Sequence, residues 1–284
     1  MKKLILTLVL SLLLSNLICH AQLFSSKKII NSSTGNLPSV IDSGYIDNDA
    51  NIDIIIGTTG GNTIEWYKNN GNGTFTLQTL ITSNLQGVLG LTLADLDNDL
   101  DIDVIATAYF GAKLVWFEND GNGNFGSEQL IASEIGEAGS VKVGLIDSNN
   151  TKDIVVASGT SGQVIWFSND GSGNFSGAQL IGSDGSGPRS IDLADFNGDG
   201  DIDVVVGFIT TRNVELYENQ LAQNGTVSFL RDSNGSISSG SSFINEVSFG
   251  DVDNDNQLDI IKVDKNGPLL GIKKKLMVLL VKAH

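Results

Sequence analysis

The sequence predicts an all-β protein, a β-propeller of about five four-stranded blades that repeat every 50 residues. Three observations lead to this prediction. The only three tryptophans, Trp66, Trp116 and Trp166, are spaced by 50 residues. An acidic motif recurs five times in the same register, and no segment shows a sustained helical period.

Each tryptophan lies in a similar frame, which reads "IEWYKNNGNGTF", "LVWFENDGNGNF" and "VIWFSNDGSGNF". A fourth copy, "VELYENQLAQNGTVSF", places Leu216 at the tryptophan position and has a longer loop. We expect these aromatic side chains to pack between neighbouring blades. Stacking platforms for sugars are the alternative, and they would require exposed tryptophans.

The acidic motif defines five loops, which keep the period of the tryptophans. They read "YIDNDANID" (first loop, 45–53), "DLDNDLDID" (second, 95–103), "LIDSNNTKD" (third, 145–153), "DFNGDGDID" (fourth, 195–203) and "DVDNDNQLD" (fifth, 251–259). The last step is 56 residues, and its excess matches the longer loop between Glu218 and Phe229.

Each unit predicts four strands. In the third unit these are "GSVKVGLI", the β-branched "DIVVAS", "QVIWFSN" and "NFSGAQLI", with hairpin signals between the later strands. The early segment "LFSSKKII" (Leu23–Ile30) resembles the fourth strand of later units. We therefore expect the N-terminal strand to complete the last blade and close the ring, which would remove the exposed sheet edges.

Residues 1–21 predict a signal peptide, with Lys2 and Lys3 before an apolar run from Leu4 to Leu14 and cleavage after Ala21. Lipidation of Cys19 is the alternative. Residues 22–270 form the predicted propeller. Residues 271–284 are an atypical Lys-rich and apolar tail, either a degenerate final strand or the end of a truncated or frameshifted product.

Composition excludes several classes of function. The chain has 33 Asp and Glu against 17 Lys and Arg, which argues against nucleic-acid or anionic-membrane binding through a basic face. The apolar stretch Leu276–Val281 is too short to span a membrane. Cleavage would remove the only cysteine and leave His284 as the only histidine, so that His/Cys zinc sites and most catalytic dyads are excluded.

The acidic loops predict a site for a hard cation. In the second loop, Asp95, Asp97 and Asp99 occupy alternating positions, Asp101 can offer its carbonyl, and Asp103 opens the next strand. Alternating oxygens on a tight loop suit Ca²⁺ better than the stricter octahedron of Mg²⁺. The pattern differs from an EF-hand because Ala106 stands where that loop needs glutamate. The alternative is a set of polar turns whose side chains cap backbone amides.

The copies differ in their ligands. The fourth loop offers Asp195, Asn197, Asp199, Asp201 and Asp203, and the fifth offers Asp251, Asp253, Asp255, Gln257 and Asp259. Together with the second loop these predict about three strong sites. The first loop begins with Tyr45 and keeps Asp47, Asp49, Asn51 and Asp53, which predicts a weaker site. The third keeps only Asp147, Asn149 and Asp153, so we expect it to be empty or very weak.

The loops and the "WFENDGNGNF" frames resemble the FG-GAP/VCBS repeats of integrin-α-like β-propellers, over about residues 23–267. This resemblance implies calcium ligands at the matching positions of the second, fourth and fifth loops. Members of the family commonly have seven blades, whereas this chain has material for about five.

We therefore expect a secreted or cell-surface, monomeric, calcium-stabilised scaffold that binds an extracellular protein or glycan and is not an enzyme. A lectin-like propeller is one alternative. A polysaccharide-active enzyme is another, and it would need paired carboxylates or a tyrosine in the central channel, outside the calcium loops.

Overall fold

The computed structural model describes residues 29–32, 36–183, 187–232, 238–239, 243–264, 269–272 and 279–281. The chain divides into two units, residues 1–34 and 35–284. The signal peptide, and most of the segment Leu23–Ile30, lie outside the described residues. All the strands given below belong to the second unit.

The second unit consists of five antiparallel sheets, which we call blades one to five in chain order. Blade one contains β1 (Pro38–Gly44), β2 (Asp53–Thr58), β3 (Ile64–Asn69) and β4 (Phe75–Leu77). Blade two contains β5 (Val88–Ala94), β6 (Asp103–Ala108), β7 (Lys113–Phe117) and β8 (Gln129–Ser133). Blade three contains β9 (Ala138–Gly144), β10 (Asp153–Ser158), β11 (Gln163–Phe167) and β12 (Gln179–Ser183). Blade four contains β13 (Pro188–Ala194), β14 (Asp203–Phe208), β15 (Asn213–Asn219), β16 (Phe229–Arg231) and the short β17 (Ser238–Ser239). Blade five contains β18 (Ile244–Gly250), β19 (Asp259–Asp264), β20 (Leu269–Ile272) and β21 (Leu279–Val281).

The strands of each blade pair in sequence order, except that the short β17 of blade four pairs with β15. The all-β propeller architecture predicted from the repeats is confirmed. The first strand of each blade contacts the first strand of the next, in the order β1, β5, β9, β13 and β18. These five are therefore the inner strands. In the described part of the chain, however, the blades do not form a closed ring.

The one helix in the described part of the chain, α1 (Leu221–Asn224), lies in the long loop of blade four. No helix among these residues is long and apolar enough to cross a membrane.

The second strand of each central blade is buried along its whole length, because it is covered by a neighbouring blade on each face. This double burial explains the run of β-branched residues in β10 and β14. Each core cluster joins two adjacent blades. Trp66 of blade one, for example, packs with Leu91, Val104 and Phe117 of blade two.

The three tryptophans are 4–5% exposed. Trp66 meets the ring of Phe125 edge-on at 6.3 Å between centroids. The predicted packing between blades is thus confirmed, and the stacking platforms that would need exposed indoles are excluded.

One detail of the predicted strands is wrong. The fourth strand of blade three begins at Gln179, because Phe175 makes only an isolated bridge to Asn169 across the preceding hairpin. The outer position of blade five is held by β21, which pairs with β20. Among the described residues, the C-terminal chain therefore supplies the fourth strand of that blade. Most of the N-terminal segment that we predicted for this place lies outside the described residues.

Candidate metal centre

The five acidic loops connect the first and second strands of their blades, at one end of the inner strands. In the second loop, Asn98 and Leu100 adopt left-handed backbone angles, with φ of 62° and 77°. These angles turn the chain sharply, and the side chains at alternating positions accept hydrogen bonds from the backbone two residues on. Asp99 Oδ1, for example, accepts the N–H of Asp101 at 2.9 Å.

This local fold brings together Asp95, Asp97 and Asp99, each of which has a carboxylate oxygen within 4.8 Å of the others. Oδ1 of Asp95 is buried and has no hydrogen-bond partner. Burial, followed by the charge of Asp99, raises the pKa of Asp97 above its usual value. An acceptor that is buried without a donor, beside two further carboxylates, fits a bound cation.

Glu118 also contributes to the field at this loop, since its charge raises the pKa of Asp97 as well. It follows β7, two residues after Trp116. Glu118 was not among the predicted site residues. A signal for it was present in the sequence, because the position two residues after Trp66, Trp116, Trp166 and Leu216 is polar or charged in each blade. These residues are Lys68, Glu118, Ser168 and Glu218.

Asp103 is placed differently from the other carboxylates of the second loop. It is fully buried, and its two oxygens accept the N–H groups of Leu96 at 3.0 Å and Asn119 at 2.9 Å. Burial raises its pKa to about 7. Asp101 points to the preceding blade, where Oδ1 accepts the side-chain amide of Asn48 at 2.7 Å. The structure therefore assigns a structural role to both side chains.

The fifth loop forms the other acidic group, which contains Asp251, Asp253 and Asp259. Asp259 is 3% exposed, and one of its oxygens accepts the N–H of Val252 at 3.1 Å. Asp255 stands outside this group, and its Oδ1 accepts the N–H of Gln257 at 2.9 Å. The two groups are the only ones of this kind among the described residues.

The fourth loop has Asn197 at its second ligand position and does not bring three carboxylates together in this way. Its competence, which the sequence predicts to equal that of the other two, stays a prediction. Asp195 accepts three backbone N–H groups, from Gly198, Asp199 and Gly200. Asp199 Oδ2 accepts the side-chain amide of Gln223 on α1 at 2.6 Å. In this loop the carboxylate oxygens of Asp195 and Asp199 already accept hydrogen bonds from donors of the protein itself.

The remaining carboxylates of the fourth loop are also hydrogen-bonded. Asp201 accepts the N–H of Ala222 on α1. Asp203 accepts the N–H of Asn219 at 2.9 Å, and burial raises its pKa to about 6.

The first loop contains a cation supplied by the chain. The ammonium group of Lys68 contacts Asp47 and lies 3.1 Å from Asp49 Oδ2. These two carboxylates raise the pKa of Lys68. Asp53 is buried, and its Oδ1 accepts the N–H of Asn69 at 2.7 Å. One ammonium group thus offsets part of the negative charge of this loop, for which the sequence predicts a weaker metal site.

The third loop is closed by neutral donors. The Ser168 hydroxyl donates to Asp147 at 2.7 Å, and the Asn149 amide donates to the carbonyl of Asn169 at 2.8 Å. Asp153 accepts the N–H groups of Ile146 and Asn169. The third loop, which we expect from its sequence to be empty or very weak, thus has its polar side chains hydrogen-bonded within the protein.

The loops are tied to neighbouring blades by a repeated asparagine. Side-chain amides donate across 73 residues from Asn119 to the carbonyl of Ile46, from Asn169 to Leu96 and from Asn219 to Ile146, at 2.7, 2.7 and 2.9 Å respectively. Each asparagine is buried. The backbone N–H of the same three asparagines donates to the last aspartate of the acidic loop in its own blade. In blades two, three and four, one asparagine therefore links this aspartate to the loop of the preceding blade.

Comparison with known proteins agrees with this architecture. The family model described as FG-GAP-like repeat matches residues 45–106 and 146–206, so that each match covers two acidic loops. No curated protein matches the chain. Among solved structures, the chain is similar to an Agrocybe aegerita lectin, whose structure concerns specific recognition of non-reducing terminal N-acetylglucosamine. The TM-score is 0.53 and the identity 20%, over 84% of this chain and 63% of the lectin chain. The likeness at this identity concerns the fold.

Proposed function

Because the chain carries FG-GAP-like repeats, we propose that it is an exported, calcium-binding propeller that serves as a binding or adhesion scaffold and not as an enzyme. The metal has a structural role in this proposal. It neutralises the acidic loop and ties the end of an inner strand to the start of the next strand. Export rests on the apolar leader of residues 1–21.

The second loop carries the proposal. Asp95, Asp97 and Asp99 place oxygens within 4.8 Å of one another, and the buried Asp95 Oδ1 has no donor. Each pair of like charges at such a distance costs roughly 3.5 kcal/mol or more at an effective dielectric constant of about 20, before screening. A divalent cation removes that cost and supplies the missing partner. Calcium suits this flexible, oxygen-only loop better than magnesium, which requires a stricter geometry.

The partner we propose is an extracellular protein or glycan. The excess of acidic residues, 33 against 17 basic residues, disfavours nucleic acid. The buried tryptophans cannot stack on a sugar, so a glycan would bind elsewhere on the scaffold. Catalysis is not part of the proposal, since after cleavage the chain would have one histidine, His284, and no cysteine.

Thermal melting of the mature protein with calcium and with EGTA tests the proposal. We expect a higher melting temperature with calcium, because a ligand that binds only the folded state stabilises it. Magnesium at the same concentration is the matched control and should give a smaller shift. An unchanged melting temperature, with no metal bound by mass spectrometry, would contradict the proposal.

A further inference from the structure

The inner strands of all five blades line a cavity of about 310 Å³, which includes no residue of the acidic loops. Its size lies at the lower end of the range for small-molecule sites, about 300–1,000 Å³. The cavity can therefore hold one small molecule, and it is the place where all five blades can contact the same ligand.

Every inner strand has a β-bulge at the same position. In each blade, one residue is skipped in the pairing between the first and second strands. The skipped residues are Ser39, Leu89, Gly139, Arg189 and Asn245, and all five line the cavity. Bulges redirect a side chain and are frequent next to binding sites. Here they present one residue of each blade to the same space.

The bulged position differs in all five blades, whereas the position two residues later is always aliphatic: Ile41, Leu91, Val141, Ile191 and Val247. Packing explains the last four members of the aliphatic series, which are at most 6% exposed, whereas Ile41 is 64% exposed. A series of serine, leucine, glycine, arginine and asparagine satisfies no common packing rule. The core therefore does not require one residue type at the bulged position, which faces the cavity.

Arg189 is the charged member of the series. In the described part of the chain its guanidinium has no hydrogen bond or ion pair. A Cβ built on Gly139 would lie 3.3 Å from Arg189 Cδ and 3.4 Å from Nη1, so the arginine extends over blade three where the glycine leaves room. An unpaired guanidinium in a cavity suits a carboxylate, which it can bind through two parallel hydrogen bonds.

The acidic side chains of the lining are already hydrogen-bonded within the protein. Asp42 Oδ2 accepts the N–H of Leu93 at 3.2 Å, and Glu246 Oε1 accepts the hydroxyl of Ser190 at 2.7 Å. Both bonds join neighbouring inner strands. These carboxylates therefore hold the blades together, and they do not neutralise Arg189.

A second cation and three neutral groups complete the lining. Lys142 is only loosely paired, with its ammonium 3.9 Å from Asp192 Oδ1. The side chains of Thr92, Ser140 and Asn245 line the cavity and make no hydrogen bond with other described residues. Such groups suit the hydroxyls of a sugar.

We propose that this cavity binds a small hydroxyl-rich carboxylate, of which a uronic acid is the simplest example, with the carboxylate on Arg189. The inference deepens the proposed scaffold function, on which it rests, because it names a ligand class and a position for the scaffold.

Calorimetric titration of the full chain with D-glucuronate and D-glucose, in calcium, tests this inference. The two probes differ by one carboxylate. Glucuronate should bind and glucose should bind at least about tenfold more weakly, because the charged hydrogen bonds are lost. Arg189→Gln should weaken glucuronate binding by roughly tenfold or more. Arg189→Lys should retain part of the affinity. Lys113→Gln removes the same charge from an exposed pair with Glu128 and should change nothing.

Absence of glucuronate binding to the unmodified chain would overturn the inference, as would equal binding by the Arg189→Gln variant or equal affinity for glucose. The calcium-dependent melt does not involve the cavity. A chain that melts higher with calcium but ignores glucuronate would therefore remove this inference alone and leave the proposed scaffold standing.

Discussion

The side-chain amide of Asn119 donates a hydrogen bond of 2.7 Å to the carbonyl oxygen of Ile46, which lies 73 residues earlier in the preceding blade. Asn119 also donates to the carbonyl of Ile102 and is 1% exposed. One side chain thus joins its own blade to the loop of its neighbour. The same bond recurs between the next two pairs of blades.

Asn119→Ala should destabilise the fold by about 1–3 kcal/mol, because two carbonyl groups near the blade junction lose their donor. Urea unfolding of the variant and the unmodified chain measures the change. Asn122→Ala, at an exposed position of the same hairpin, is the matched control and should cost much less. If both variants unfold at the same urea concentration as the unmodified chain, the asparagine link does not stabilise the blade junction.

Gly123→Ala should destabilise the chain more than any other alanine substitution in the hairpins. A Cβ at this position would lie 2.0 Å from the indole Cη2 of Trp66, and the residue has φ of 77°. The variant must therefore displace a buried tryptophan and adopt a strained backbone, at a cost of about 2 kcal/mol or more.

Gly177→Ala is the control for that substitution, since a Cβ there meets no atom within 4 Å. Thermal melting of both variants should separate them clearly. Equal melting temperatures would show that the contact between Trp66 and Gly123 is not tight in solution.

Lys68→Gln should lower the stability of the metal-free chain by up to about 1 kcal/mol, because Asp47 and Asp49 lose a partly exposed partner. It should also increase the rise in melting temperature produced by calcium, since the loop then needs an external cation. Lys113→Gln, which removes a lysine from an exposed pair, should leave the calcium response unchanged. An identical calcium response for both variants would contradict the role assigned to Lys68.

The metal-free chain should be less stable at pH 8 than at pH 5. Burial raises the pKa of Asp103 to about 7 and that of Asp203 to about 6, from an ordinary value of 3.8. A carboxyl whose pKa is higher in the folded state gives its full stabilisation below about pH 4, and this is lost as the pH rises through the folded value.

Urea midpoints in EGTA between pH 4 and pH 8 measure this dependence. Asp103→Asn should reduce the slope, because it removes the carboxyl whose pKa burial raises to about 7. A midpoint that rises across the same range in the unmodified chain would show that the buried carboxylates do not dominate the pH dependence.

The sequence predicted the blades because packing repeats. The tryptophans of the first three units and the β-branched strands are set by packing contacts that recur from blade to blade, and the spacing of 50 residues makes them visible. The end of the chain was harder to predict. Nothing in "PLLGIKKKLMVLLVKAH" resembles the earlier strands, yet Leu269–Ile272 and Leu279–Val281 complete blade five.

The sites were predicted less completely, because the ligands of a loop depend on residues outside it. The fourth loop matches the pattern, but Gln223 on α1 occupies Asp199. The first loop keeps its aspartates, but Lys68 pairs with Asp47 and Asp49. The cavity was not predicted, because its lining residues are related by their place at a β-bulge. The bulge becomes visible only when the pairing of the first and second strands is known.

The central claim is that the second and fifth loops hold calcium. Calcium bound per chain, measured by equilibrium dialysis and mass spectrometry, tests it most directly. We predict two ions per chain, from the two acidic groups, and the loss of one in Asp97→Asn. Asp147→Asn, in the third loop, should keep both. A chain that binds no calcium, or an Asp97→Asn variant that binds as much as the unmodified chain, would contradict the claim.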